Sequence, residues 1–210
     1  MIQIALADDH AIVRAGLRHI LSKEVDFRVI AEAENGREAQ MLARRDDLDV
    51  VVLDLSIEDY CGVDVLRALR LRRPSLPVLM VGQTPETHCA ITLLRLGASG
   101  YLGRGCEVAE IARAIRTIHR GRRYVTPVVA DLLASRVGDE ALSPPHDQLS
   151  DREFQVFLQL ARGTTIGRLA DHLALSVKTV STYRSRVMGK LGLSSNSELT
   201  YYALKNGLMQ

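Results

Sequence analysis

Ile2-Gln3-Ile4-Ala5-Leu6-Ala7 runs straight into Asp8-Asp9, and Val50-Val51-Val52-Leu53 runs into Asp54, each ahead of a helix-like stretch. Short Val/Ile/Leu-rich runs alternating with amphipathic segments are the pattern of strands and crossover helices in a parallel sheet. In such a sheet ligands gather outside the carboxyl ends of the strands, so Asp8, Asp9 and Asp54 are expected to converge although they lie far apart in the chain. Carboxylates so close need a cation. Their oxygen donors suit a hard divalent ion such as Mg²⁺, which keeps water and phosphate oxygens in its shell, better than they suit zinc. The arrangement predicts a phosphoryl-transfer site with Asp54 as the acceptor. One acid after a strand is more often a helix cap or a solvated loop group, so the reading rests on the three together.

Working outward, five strands are predicted near Ile2–Ala7, Arg28–Ala33, Val50–Leu53, Val78–Val81 and Gly100–Leu102. Helices fill the gaps near Ala11–Ser22, Gly36–Arg45, Gly62–Leu71, Glu86–Leu96 and Glu107–Arg120. The alternation stops after Arg120, and residues 121–146, with Gly138 and Pro127, Pro144 and Pro145, read as a linker carrying one helix at Val128–Val137. Beyond it the apolar period is purely helical, giving four helices near Asp151–Ala161, Ile166–Leu173, Val177–Leu191 and Ser197–Asn206. The division predicted is 1–120, linker 121–146, and 147–210.

At 210 residues the chain suits two modest domains, each with its own core. A hydrophobic fraction of 47% and a charged fraction of 25% are ordinary globular values and argue against a disordered or disulfide-scaffold protein. Cys61, Cys89 and Cys106 form no Cys-x-x-Cys pair, which leaves free thiols as the expectation. No apolar run reaches the length of a membrane span and the N-terminus lacks a leader pattern, so a cytoplasmic protein is expected. The net charge is only +2, yet from Leu149 onward eight Lys or Arg face four Asp or Glu. The basic excess therefore sits in the last quarter of the chain, as attraction to nucleic acid requires, although a solvated helical surface would look alike without a motif beneath it.

Ile166–Leu173, a short turn, then Val177–Leu191 has the proportions of a helix-turn-helix, whose second helix enters the major groove. On a helical wheel Val180, Val187 and Leu191 form the buried stripe, while Lys178, Thr182, Ser185 and Gly189 lie opposite, flanked by Ser181 and Arg186. Small polar residues let the helix approach base edges with modest discrimination. Lys178, Thr179, Arg186 and Lys190 are expected to contact phosphates, which positions the helix without reading sequence.

Leu149-Ser150-Asp151-Arg152-Glu153, Leu160-Ala161-Arg162-Gly163, Leu175-Ser176-Val177-Lys178-Thr179-Val180 and Lys190-Leu191-Gly192-Leu193 occur in order at the spacing of the LuxR-type DNA-binding domain, which this region resembles. Two positions depart: Tyr183 stands where many members have His, and Ile166-Gly167 where a polar pair is common.

The first 120 residues resemble the receiver domain of two-component response regulators, and the whole chain looks like the NarL/FixJ group. The resemblance implies a flavodoxin-like α/β receiver with a five-stranded parallel sheet of order 2-1-3-4-5, joined to an all-α four-helix domain. It implies Asp54 as phosphoacceptor, Asp9 as direct Mg²⁺ ligand, Asp8 as ligand through water, and the Ser56 carbonyl as third protein ligand. The implied partners are a sensor histidine kinase, double-stranded DNA and a second copy of the chain. Dimerisation would use Leu199, Ala203 and Leu204 of the last helix, or a receiver face including Val13, Leu17 and Ile118. Two family positions are changed. Gly82 replaces a Ser or Thr, and Arg104 replaces a Lys whose compact ammonium differs from a planar guanidinium. The missing hydroxyl would normally bond the phosphoryl group and draw Tyr101 inward, and Thr84 is a candidate substitute. These changes favour a phosphorylation-independent regulator with a degenerate receiver as the alternative. An Asp-nucleophile phosphohydrolase is disfavoured, because no general acid is found and the basic tail goes unexplained; slow self-dephosphorylation is the only hydrolysis expected. His10, beside the acids, is expected at the surface.

Overall fold

The computed structural model describes residues 1–57, 62–136, 144–206 and 208–209; Cys61, Val137 and Gly138 lie outside them. The chain forms two compact units, Met1–Ala130 and Asp131–Gln210.

In the first unit, β1 (Ile2–Ala7), β2 (Phe27–Ala33), β3 (Val50–Asp54), β4 (Val78–Gly82) and β5 (Gly100–Gly103) form one parallel sheet in the order β2-β1-β3-β4-β5. This is the expected order. The central strands β3 and β4 are buried along their whole length, which is why VVVLD and VLMVG show no polar alternation, whereas the edge strand β2 keeps Arg28 and Glu32 exposed. One sheet face, with Ile4, Leu6, Val50, Val52 and Leu79, packs against Leu21 of α1 (Ala11–Leu21) and Ile111, Ile115 and Ile118 of α5 (Val108–His119). The alternate residues Ala5, Val51, Leu53 and Met80 are equally buried, as are Ala39 of α2 (Gly36–Met41), Leu66 of α3 (Gly62–Arg72) and Leu93 of α4 (Glu86–Arg95).

Differences from the sequence reading are local. α2 ends at Met41 and tightens into a 3₁₀ turn over Leu42–Arg44, a common way for a helix to finish. β3 and β4 each extend one residue further, so Asp54 and Gly82 close their strands. Gly62 starts α3 against the end of β3. Its amide donates to the Leu55 carbonyl at 3.0 Å, and a Cβ there would strike the Asp54 carbonyl and the Leu55 backbone. The chain does not leave the first unit at Arg120. Tyr124 N–H donates to the Ser99 carbonyl at 2.8 Å, Tyr124 and Val129 are buried, and α6 (Pro127–Arg136) begins there.

In the second unit a 3₁₀ turn at Pro145–Gln148, which periodicity could not reveal, lies ahead of the last four helices. The helices α7 (Asp151–Ala161), α8 (Ile166–His172), α9 (Val177–Leu191) and α10 (Asn196–Lys205) follow. Ser150, Thr165, Ser176 and Ser195 each accept a backbone N–H of the first turn, Ser150 in a capping box with Glu153. Phe154, Phe157, Leu160, Leu169, Val180, Val187 and Leu199 make the core. One expectation is corrected here. Leu199 and Ala203 of the supposed dimer stripe face this core, and Ile118 faces the first core, because each completes a helix-to-core contact within its own unit. On α10, Tyr201 and Leu204 are exposed instead.

Candidate functional site

β1 and β3 are neighbours with Ala7 opposite Leu53, so the residues that follow, Asp8-Asp9 and Asp54, emerge together at the carboxyl edge of the sheet. Ligand atoms of Asp8, Asp9, His10 and Asp54 all lie within 4.8 Å of one another. Asp8 and Asp54 are buried. Arg14, itself buried on α1, holds this corner from behind by donating to the Asp8 carbonyl at 2.7 Å while pairing with Glu32 and Glu34. No periodic signal marks that anchor, since its partners lie on two other segments, the end of β1 and the end of β2.

Arg104 follows β5 and sends Nη2 to 3.1 Å from Asp8 Oδ2 and 2.9 Å from Asp54 Oδ2. The contact with Asp8 is an aligned hydrogen bond, whereas that with Asp54 is one of charge, for neither Asp54 oxygen has a well-aligned hydrogen bond among the described residues. Burial pushes the Asp54 carboxyl up to about 6; Asp8 adds to the shift, and Arg104 and the Ser56 amide oppose it. A buried, hydrogen-bond-poor carboxylate beside two others fits a hard divalent cation, because such an ion supplies the positive charge and takes the spare oxygen lone pairs. Ser56 lies in the turn after β3.

His10 lies at the surface as expected, and it also bonds the acids beside it. Its Nδ1 lies 2.6 Å from Asp9 Oδ1 and 3.2 Å from Asp8 Oδ1, and its amide donates to Asp8 Oδ1 at 2.8 Å. The ring is more than half exposed, but it forms the rim of the pocket, and Asp9 chiefly raises its pKa.

Tyr101 on β5 is 2% exposed, more deeply buried than a surface switch residue, and its hydroxyl donates to the Thr84 carbonyl at 2.5 Å. Gly82 makes the space. A Cβ at Gly82 would lie 2.9 Å from the Tyr101 oxygen and 3.0 Å from Leu55 Cβ. Thr84 thus meets Tyr101 through its backbone carbonyl.

On α9, Val180, Val187 and Leu191 are buried as the wheel indicated, joined by Met188. Lys178, Thr182, Ser185, Arg186 and Gly189 are exposed, with Thr179 and Ser181 half-buried. Lys178, Thr179, Thr182, Tyr183 and Arg186 line an open groove of about 330 Å³. The Thr182 and Ser185 hydroxyls donate to the Lys178 and Ser181 carbonyls, leaving oxygen lone pairs outward, and the Thr179 hydroxyl is paired with Ser176. Lys190 goes elsewhere. Its ammonium lies 2.6 Å from Glu153 Oε2 and 3.0 Å from the Gln148 carbonyl, so it is a strut between α9 and the capping box of α7. Burial works against the Glu153 carboxylate, but Lys190 and Ser150 hold it below its ordinary range. Arg184 donates to Asn196 Oδ1 at 2.8 Å, joining α9 to α10.

Among the described residues no helix is long and apolar enough to cross a membrane. Residues 4–116 match the family model of the response regulator receiver domain, and residues 147–203 match that of bacterial regulatory proteins of the luxR family. The chain is 34% identical over 209 residues to the response regulator UvrY of Escherichia coli (strain K12), covering 99% of this chain and 96% of UvrY. It is 34% identical over 209 residues to the response regulator GacA of Pseudomonas protegens, covering 100% of this chain and 98% of GacA. RcsB from Salmonella enterica serovar Typhimurium, solved bound to the promoter rprA in the presence of the phosphomimetic BeF3-, shares the fold. The TM-score is 0.77 at 21% identity, over 100% of this chain and 99% of that one. Receiver sheet, acidic edge and capped helix-turn-helix thus agree with the relatives, and the chain belongs to the NarL/FixJ group of two-component response regulators, DNA-binding transcription regulators with a luxR-type domain.

Proposed function

We propose that this regulator takes a phosphoryl group on Asp54 from a histidine kinase, in the cytoplasm, and that the phosphoryl group governs DNA binding by α9 in a homodimer. The observation that carries the reading is the convergence of Asp8, Asp9 and Asp54 with the Arg104 guanidinium. Asp54 attacks phosphorus in line, the bond to the histidine nitrogen breaks, and the electron pair leaves with the imidazole. Asp9, Asp8 through water, and the Ser56 carbonyl would hold Mg²⁺, which when bound neutralises the phosphoryl oxygens. Arg104 lies close enough to take over the charge that forms beside Asp54. Its fork sets an oxygen geometry different from a Lys ammonium.

Lys178, Thr179 and Arg186 approach phosphates in this reading, while Ser181, Thr182 and Ser185 meet base edges. Half-sites lie about one helical turn apart. The acid test is incubation of the full chain with a small phosphodonor and Mg²⁺, followed by intact mass measurement. One phosphoryl group is added to the native chain and none to Asp54→Asn. Equal labelling of the two would overturn the assignment.

A specific observation favours the second reading, a regulator that works without phosphorylation. Gly82 offers no hydroxyl at the end of β4, and the Tyr101 hydroxyl is engaged by the Thr84 carbonyl instead. If that reading holds, Asp54→Ala leaves regulation of target promoters unchanged; loss of regulation refutes it.

A further inference from the structure

Glu86, the first residue of α4, spends its carboxylate outside its own helix. Oε1 accepts the Gly103 amide at 3.2 Å, and Oε2 accepts the Thr126 hydroxyl. Thr126 is buried and starts α6: its carbonyl accepts Ala130 N–H at 2.9 Å and its hydroxyl accepts Val129 N–H at 3.4 Å. One threonine therefore both begins the helix that runs out of the first unit and ties it to α4.

Two strings of contacts from the pocket end at Glu86. Along the first, Arg104 touches Asp54 with its guanidinium and the Gly82 carbonyl with its amide at 2.7 Å, and the neighbouring Gly103 amide is held by Glu86. Along the second, Tyr101 bonds the Thr84 carbonyl, two residues before Glu86 in the same loop. A rearrangement at Asp54 that moves either Arg104 or Tyr101 changes the position of the only carboxylate that holds Thr126 among the described residues.

We propose that Glu86 and Thr126 form a latch on the first turn of α6, and that a phosphoryl group on Asp54 opens it by drawing Arg104, and Gly103 with it, away from Glu86. The input to the latch rests on the reading of Asp54 given above; the latch contact itself does not. Opening leaves Thr126 as a helix cap alone and frees the start of α6 from the first unit. The two-state element is thus the first turn of α6, and both states are defined by one hydrogen bond to a charged group.

Hydrogen exchange of the full chain, read at the Val129 and Ala130 amides, tests this. Glu86→Ala leaves the cap oxygen in place and removes only the latch, so exchange at these amides is expected to quicken about ten- to a hundredfold, the equivalent of one charged hydrogen bond. Thr126→Ser keeps both contacts and stays slow. Adding beryllofluoride with Mg²⁺ to the native chain is expected to protect the Leu55 and Ser56 amides and to quicken Val129 and Ala130. It adds nothing further to Glu86→Ala. Unchanged exchange in Glu86→Ala overturns the latch. A protected pocket with an unmoved α6 overturns its coupling to Asp54. An unprotected pocket refutes the Asp54 reading and removes the input, while the Glu86→Ala result still decides whether the contact holds α6.

Discussion

Asp54 is raised to about 6 by burial and by Asp8, against the opposing charge of Arg104, and this has a thermodynamic consequence. Without metal, the folded chain binds more protons than the unfolded one between about pH 4 and pH 6, so stability falls as pH rises across that window. The full cost is present above pH 6 and amounts to about 2–3 kcal/mol. Urea unfolding in chelator at pH 5 and pH 7 should show the native chain losing stability on going to the higher pH, and Asp54→Asn losing less by about half that amount, since pH 5 already lies inside the window. Equal pH dependence would contradict the assignment. Gly82 supports a second prediction at this scale. Gly82→Thr places a Cβ 2.9 Å from the Tyr101 hydroxyl and 3.0 Å from Leu55 Cβ, closer than side chains pack, so the Tyr101 ring must shift. Cys89, which is buried and has its thiol pushed up to about 12 by that burial, bonds the Pro85 carbonyl below the same ring's partner loop. Alkylation of Cys89, followed by mass spectrometry, is expected to quicken by about tenfold or more in Gly82→Thr; an unchanged rate would mean that the ring stays in place.

Elements were legible in the sequence wherever a period or a cap marked them. The parallel strands and the three acids follow from runs such as Val50–Leu53, and α7 and α9 from their helical apolar period, while the strand order was what the receiver resemblance implied. Arg14 and the pair Glu86 and Thr126 were not, because a side chain that bridges segments leaves no periodic trace. Lys190 shows the same limit. Its place on the wheel suits a phosphate contact, yet a buried carboxylate 37 residues earlier claims it. Lys190→Met is therefore expected to destabilise the second unit by about 1–3 kcal/mol, reduced from the full cost of breaking a buried pair because the ammonium is partly exposed. Thermal unfolding checks this, with Lys178→Met as the neutral comparison. For the exposed face of α9, Lys178→Ala and Arg186→Ala should each lower the slope of log affinity against log salt by about 1. Thr182→Ala and Ser185→Ala should cost less than about 1 kcal/mol in DNA binding, because their hydroxyl protons are already given to the helix. A steep loss from either would mean that those hydroxyls turn outward on the duplex.

At the scale of the molecule, two units with separate cores are joined by a helix that begins inside the first. The receiver resemblance suggests that a boundary at Arg120 is natural, yet Tyr124 bonds Ser99 and Glu110 beyond it, and Val129 is buried. The sheet edge at Gly100 is closed by Tyr124, which lies 3.0 Å from where a Cβ on Gly100 would stand. Shortening the chain therefore does more than remove a tether. A fragment ending at Arg120 would uncover the seat of Tyr124 at the Gly100 edge of the sheet and lose the buried Val129, each worth about 1.5–3 kcal/mol when filled. It should melt earlier and self-associate more readily than a fragment ending at Arg136, so a receiver isolated by family length alone would misreport the robustness of the native one.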